Sequence, residues 1–327
     1  MPQSQGFYPT SQLMEVAFGA VLEAHAFLSD TISYDPKFNF EKIRMRPDAP
    51  DEKDALMIDR MAEEACRTFF RDRLGSFVHV VGEESAGRMK PESKVCALVD
   101  IVDGTDLLAM QIPLWCSAIV LYEREAPHKI LGSVVGLATG EIYMASESEP
   151  RATVATPPHD VKTVHLTHFV SGPSSTRALR SARIAHYGQK AKNFLSVVNT
   201  PAFIKAAEGM TRRDSFRIYN FAGNPIMMKL ADRLKDDESQ QVIADGIDAV
   251  FDVSGQLLHD VVPGVFIAMK AGAFLCDLEG KEIGYEALGM MLAKRDARLK
   301  YVLAATPELA LELCAALKTE PSPALPF

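Results

Sequence analysis

The sequence predicts a protein of the α+β or α/β class, with its elements packed in layers. Two long segments with apolar residues at helical spacing open the chain. Short apolar runs ended by turn residues follow them. Strand-like and helix-like segments then alternate over the second half. At 327 residues, 47% hydrophobic and 24% charged, the chain can form one large domain or two ordinary ones with a sizeable core. The polar, proline-rich stretch 146–162 is the best linker, and it divides the chain into 1–155 and 156–327.

Each element has its own reason. Over 11–33, Leu13, Val16, Ala17, Ala20, Val21, Ala24, Phe27 and Leu28 recur at helical intervals and predict an amphipathic helix. Ser29 to Pro50, rich in proline and charge, reads as loop. A second helix covers about 54–74, with Met57, Ile58, Met61, Ala65, Phe69 and Phe70 on one side. Phe77–Val81, Val95–Val99, Ala118–Tyr122, Ile130–Leu137 and Ile142–Met144 read as strands, the last entered through a Thr139-Gly140 turn. Beyond the linker, strands are expected at 164–170, 194–198, 249–253 and 299–304. Helices are expected near 175–187, 201–210, 225–234, 260–270 and 307–317. The charged stretch 232–245 reads as an exposed insertion, and the tail from Pro321 as disordered.

Composition excludes several functions. A net charge of −8 argues against nucleic-acid binding, which needs a basic face. It also counts against a two-metal nuclease. No apolar run reaches the roughly 20 residues of a membrane span. The N-terminal segment lacks the basic and apolar regions of a secretory signal. Cys66, Cys96, Cys116, Cys276 and Cys314 are odd in number, widely spaced and free of Cys-x-x-Cys pairs. Neither a disulfide framework nor a zinc knuckle is indicated. The cytoplasm is the expected compartment.

The chemistry gathers at strand ends. The run Val95–Val99 ends in Asp100, Asp103, Gly104 and Thr105, so a buried strand delivers two acids, a flexible turn and a hydroxyl. Alone, Asp-Gly-Thr is a common turn and helix start. The set is stronger: Glu83-Glu84 closes the preceding run, and Asp260 precedes a later apolar element. Two unit charges about 4 Å apart repel by about 4 kcal/mol at an effective dielectric near 20. Converging acids therefore persist only when protonated or neutralised by cations. Oxygen donors select hard cations such as Mg²⁺, and no His or Cys pair accompanies them to favour zinc. The Val102 carbonyl is a further oxygen donor, and Gly104 admits close backbone approach. The N–H groups of Gly104 and Thr105 face where a phosphate oxygen would sit.

These residues carry a family resemblance over almost the whole chain. Gly82-Glu83-Glu84-Ser85, Asp100-Ile101-Val102-Asp103-Gly104-Thr105, Gly246-Ile247-Asp248-Ala249, His259-Asp260-Val261-Val262-Pro263-Gly264 and Lys270-Ala271-Gly272-Ala273 match successive motifs. The chain thus resembles the inositol monophosphatase superfamily of Mg²⁺-dependent, lithium-sensitive phosphatases. The resemblance implies a layered α-β-α-β-α, sugar-phosphatase-like fold. A larger domain with a mixed or antiparallel sheet would hold metal, and a smaller α/β domain would contribute Asp260. It implies that Glu83, Asp100 and the Val102 carbonyl hold one Mg²⁺, and that Asp100, Asp103 and Asp260 hold a second. Glu83 would help a weaker third. Asp59 with Thr105 would position and deprotonate the attacking water. Gly104 and Thr105 would bind phosphate, while Asp252 and Asp260 would meet substrate. A small phosphorylated metabolite and a homodimer are the implied partners.

Four departures mark this chain. Ile101 stands where the family has Pro, His259 where it has Trp, and Lys270 where it has Glu. Val261-Val262-Pro263 replaces small residues, and Pro263 suits a first helical turn. A lone His such as His259 reads first as packing or surface. Arg212-Arg213 reads as a solvated loop, Tyr219–Asn224 as a helix entry near a substrate-contact segment, and Trp115 as core. No departure removes an expected metal ligand. The expected function is Mg²⁺-dependent hydrolysis of a small phosphomonoester: an inositol phosphate, a sugar phosphate or a nucleotide 3′-phosphate. The alternative, fed by the altered Asp260 motif, is a catalytically impaired relative that binds metal or phosphate, or serves as a partner subunit.

Overall fold

The computed structural model describes residues 8–34, 42–43, 55–82, 93–155, 166–188, 190–211, 213–235, 242–244, 246–294 and 297–318. Glu83, Glu84 and Ser85, residues 156–165, Arg212 and the predicted tail lie outside them. In chain order the first part runs α1 (Thr10–Tyr34), β1 (Lys42–Ile43), β2 (Ala55–Leu56), α2 (Met57–Leu74) and β3 (Val78–Gly82). It continues with β4 (Val95–Asp103), α3 (Thr105–Ala109), β5 (Cys116–Glu123), β6 (Ile130–Leu137), β7 (Ile142–Ser146), β8 (Thr153–Ala155) and β9 (Leu166–Phe169). The second part holds β10 (Arg183–His186), α4 (Ala191–Val198), α5 (Pro201–Glu208), β11 (Arg217–Tyr219), α6 (Asn224–Ala231), β12 (Leu234–Lys235) and β13 (Val242–Ala244). It closes with β14 (Ala249–Leu257), α7 (Val262–Ala271), β15 (Phe274–Cys276), α8 (Tyr285–Leu292), β16 (Arg298–Ala304) and α9 (Pro307–Leu317).

Among the described residues, two larger sheets organise these elements, beside the two-stranded antiparallel pairs β1–β2 and β12–β13. β3 to β9 form a seven-stranded sheet in sequence order, antiparallel except for the β3–β4 pair. The second sheet has the order β11-β10-β14-β16-β15, with the β10 pairs parallel and the others antiparallel. Among the described residues, three cores hold five layers together. One lies between α1, α2 and the large sheet, around Leu13, Ile58, Phe70 and Ile119. The second fills the space between the two sheets, where α6 and α7 run, and includes Met227, Val265, Phe266 and Tyr301. The third packs α4, α5 and α9 on the far face of the small sheet through Val197, Phe203 and Leu313. This is the expected α-β-α-β-α layering. Strands buried on both faces explain why β5 and β6 read as unbroken apolar runs rather than alternating ones.

The structure corrects several element predictions. The helix expected at 175–187 is a short 3₁₀ turn, Leu179–Ser181, followed by strand β10. Asp248, 1% exposed, accepts the Ser174 hydroxyl and, at 2.7 Å, the Arg183 N–H, which draws this segment out against the small sheet. The strand expected at 194–198 is the helix α4, in which Val197 is the residue turned fully inward. A short apolar run does not separate helix from strand by periodicity alone. The linker candidate contains β8, and β9 beyond it completes the large sheet. α1 runs on through Tyr34 into the predicted loop.

Candidate active site

β4 delivers its acids through a bulge. Asp100 pairs with Ala118 and Asp103 with Cys116, so two residues of β4 stand against one of β5. In a regular strand, residues three apart face opposite sides of the sheet. The extra residue turns Asp103 back to the side of Asp100. The Ser117 hydroxyl donates to the Ile101 carbonyl at 2.7 Å and holds the bulge from below. The bulge coincides with Ile101, the family's proline position, and a side-chain bond supplies the restraint there. Asp100 is 6% exposed and its Oδ1 accepts the Val102 N–H at 3.2 Å.

The turn after β4 is built for close approach. Gly104 has φ 97° and starts α3, a conformation that favours glycine. A Cβ there would also stand 3.3 Å from Trp115, which packs against the first core as expected. Thr105 Oγ1 lies 3.0 Å from Asp59 Oδ1 and 3.1 Å from the Val102 carbonyl. Asp59 is 9% exposed in the first turn of α2, so the expected Asp59–Thr105 pair forms.

The second half arrives from between the sheets. Asp260 sits in the turn from β14 to α7, and its side chain is 26% exposed. His259 Nε2 lies 3.1 Å from Asp260 Oδ1. One ligand atom from each of Asp100, His259 and Asp260 lies within 4.8 Å of the other two. Asp103 faces the same group: burial, and then the Asp260 charge, pushes its carboxyl up to about 7, against the Asn224 amide, His259 and the Cys116 thiol. Burial, then Asp103, Asp100 and Asp260, push the Cys116 thiol well up, and burial, then Asp252, Asp103 and Asp260, push the Tyr301 hydroxyl well up. A buried carboxyl held beside a second acid in this way fits a bound cation. The oxygen donors Asp100, Asp103, Asp260 and the Val102 carbonyl suit Mg²⁺.

Sequence reasoning missed the residue that joins the halves. Asn224 is fully buried at the start of α6. Its Nδ2 donates to Asp103 Oδ2 at 3.1 Å and to the His259 carbonyl at 3.0 Å, while its Oδ1 accepts the Gly264 N–H at 2.8 Å. Gly264 itself is a close approach: a Cβ there would be 3.0 Å from the Asn224 Cα. Its sequence signal was its place at the end of Tyr219–Asn224, the helix entry near a substrate-contact segment. Other expectations divide. Asp252 is 2% exposed and accepts the Gly255 N–H within a register slip of β14 between Asp252 and Gln256. Burial raises its carboxyl, against the Gly255 and Ser254 N–H groups, Lys300 and Arg298. Lys270 reaches back to the Glu147 and Glu149 carbonyls at 3.2 and 2.9 Å, so the charge reversal secures a loop. Arg213 is exposed, as a solvated loop requires. Glu83 lies outside the described residues.

The arrangement defines a class: the layered fold is that of the inositol monophosphatases. Among solved structures with this fold is the extragenic suppressor protein SuhB from Bartonella henselae, 18% identical, with a TM-score of 0.65, covering 94% of this chain and 98% of that one. An inositol monophosphatase from Anabaena (Nostoc) is 15% identical at a TM-score of 0.63, covering 96% of this chain and 99% of its own. The Zymomonas mobilis inositol monophosphatase is 13% identical at 0.61, covering 95% and 99%. No protein-family profile and no curated protein sequence matches the chain. Among the described residues, no helix is long and apolar enough to cross a membrane.

Proposed function

We propose that the protein is a metal-dependent phosphomonoesterase that hydrolyses a small phosphorylated metabolite with an activated water. The observation that carries this reading is the convergence of Asp100 and Asp103 from the large sheet with Asp260 from the β14–α7 turn, beside the Asp59–Thr105 pair. The solved structures that share the fold include proteins titled inositol monophosphatase. Asp100, Asp103, Asp260 and the Val102 carbonyl would hold two Mg²⁺ ions, with Glu83 the expected further ligand. When bound, such ions polarise phosphoryl oxygens and make a coordinated water more acidic.

The remaining work falls to the chain. Thr105 Oγ1 donates to Asp59 Oδ1, so its lone pair is turned to accept a proton from water. As that proton arrives at Thr105, the hydroxyl's own proton passes to Asp59. The N–H groups of Gly104 and Thr105 would meet the phosphate. The 26% exposed Asp260 side chain would offer an edge to a substrate hydroxyl. Asp252, its carboxylate committed to Gly255, would shape the pocket wall from behind. We place the enzyme in the cytoplasm as a homodimer, which light scattering in solution checks.

The test is phosphate release from a panel of inositol phosphate, fructose bisphosphate and 3′-phosphoadenosine phosphate, with Mg²⁺, and with and without Li⁺. Release that depends on Mg²⁺ and disappears in Asp103→Asn supports the reading. No release from any monoester sinks it and leaves the impaired relative, which binds the ions without turnover.

A further inference from the structure

The Asp260 turn carries a donor that an all-oxygen site does not need. His259 and Asp260 are adjacent in sequence, and adjacent residues of a strand face opposite sides. Here both lie beyond β14, in a turn folded by the Asp260 N–H to Leu257 carbonyl bond at 3.2 Å and the Val261 N–H to Leu258 carbonyl bond at 3.3 Å. That turn brings both side chains to Asp100. The His259 carbonyl is fixed by Asn224 at 3.0 Å, so the imidazole hangs from an anchored backbone. Its side chain is 12% exposed, which leaves little room for water to replace it.

We propose that His259 is a nitrogen ligand of the ion held by Asp100 and Asp260, and that this position prefers a divalent first-row transition ion over Mg²⁺. The proposal rests on the metal-dependent reading above and concerns which ion fills one position of the site. Ligand atoms bound at about 2.1 Å stand about 3 Å apart when adjacent on an octahedral ion and about 3.4 Å apart on a tetrahedral one. The His259–Asp260 spacing of 3.1 Å is that of an adjacent pair. The remaining pairs lie within 4.8 Å of one another. Mg²⁺ takes oxygen donors and releases water reluctantly, whereas imidazole suits the later first-row ions. One imidazole and two carboxylates therefore move the preference of this position along the series from Mn²⁺ towards Zn²⁺. The family's Trp at this place offers no such lone pair.

The experiment uses the metal-free full-length chain with Mn²⁺ as probe. Pulsed EPR of the Mn²⁺ complex is expected to show ¹⁴N coupling from an imidazole, lost in His259→Gln and in His259→Asn. Equilibrium binding is expected to show Mn²⁺ and Zn²⁺ affinity falling about tenfold to a hundredfold in either variant, with Mg²⁺ affinity changed by less than about threefold. Absence of ¹⁴N coupling in the native chain overturns the proposal, as does coupling that survives both substitutions. Equal loss for Mg²⁺ and Mn²⁺ also overturns it, because that is what a purely structural histidine gives. Phosphate release by the native chain, loaded in turn with Mg²⁺, Mn²⁺ and Zn²⁺, is scored separately. Release without nitrogen coupling removes the His259 ligand and keeps the phosphatase. Nitrogen coupling without release keeps the ligand and removes the phosphatase.

Discussion

β4 and β14 each carry an acid beside a register slip, and the two slips use the acid in opposite ways. In β4, one extra residue after Asp100 sets Asp100 and Asp103 on the same side, where they meet Asp260 from another element. In β14, the slip over Asp252–Gln256 lets the chain curl so that its own Gly255 N–H takes the Asp252 carboxylate. Arg298 and Lys300 stand near Asp252 and favour its charged form, while Asp103 meets a second acid that opposes its own. A bulge thus decides who receives a carboxylate: a distant element, which makes a site, or the strand itself, which makes a turn.

The largest expected effect tests the β4 half of that contrast. Asp103→Asn keeps the side chain's size and removes the charge. It should lower phosphate release by about a thousandfold or more, with a melting temperature within a few degrees of the native chain. If the Asp103→Asn variant retains activity, β4 is no site and the contrast collapses. Next comes Asn224→Ala, which unties Asp103, the His259 carbonyl and Gly264 together. Loss of an outer partner of metal ligands should reduce metal affinity about tenfold to a hundredfold, read by calorimetry. An unchanged affinity would show that the halves of the site align without it.

The β14 half predicts stability effects instead. Asp252→Ala should cost about 1–3 kcal/mol in denaturant unfolding, because the Gly255 N–H loses its buried acceptor. The pH dependence has a definite sign. Burial raises the folded-state Asp252 above its usual 3.8, so the folded chain binds this proton more tightly than the unfolded chain. Its favourable contribution is complete below pH 3.8 and is lost as pH rises through the folded value. Native chain should therefore lose stability relative to Asp252→Asn as pH climbs above about 4; parallel curves would contradict a buried, raised acid. The smallest effect is Ser117→Ala, which removes the hydroxyl under the β4 bulge and should cost about 1 kcal/mol.

Much of the site was legible in the sequence because its residues are punctuation. Asp100, Asp103 and Gly104 end an apolar run, and Asp260 stands beside a helix start, so each is visible within a few residues, whereas Asp59, inside a predicted helix, was legible only through the family resemblance. The layering was legible for the same reason: strand and helix periods differ. Segments without a strong period were not. Residues 183–186 form a strand because Asp248, far along the chain, claims the Arg183 N–H, and 191–198 form a helix although their apolar run suits either state. The pairing of His259 with Asp100, and the hub at Asn224, depend on contacts across the chain that no local pattern encodes. The slip in β14 is of this kind too, since a strand shows its register only against its partner.

The Asn224 hub also sets an order of events in the making of the molecule. Its partner Asp103 precedes it by 121 residues, and Gly264 follows it by 40. A chain growing from its N-terminus therefore exposes the β4 acids long before Asn224 can brace them. Their repulsion stays in water until α6 and the head of α7 have left the ribosome. On the proposed metal-dependent reading, ion capture is then a late event at biogenesis, and a nascent chain halted before Asp260 should emerge with its first layers formed and its ion-binding capacity absent.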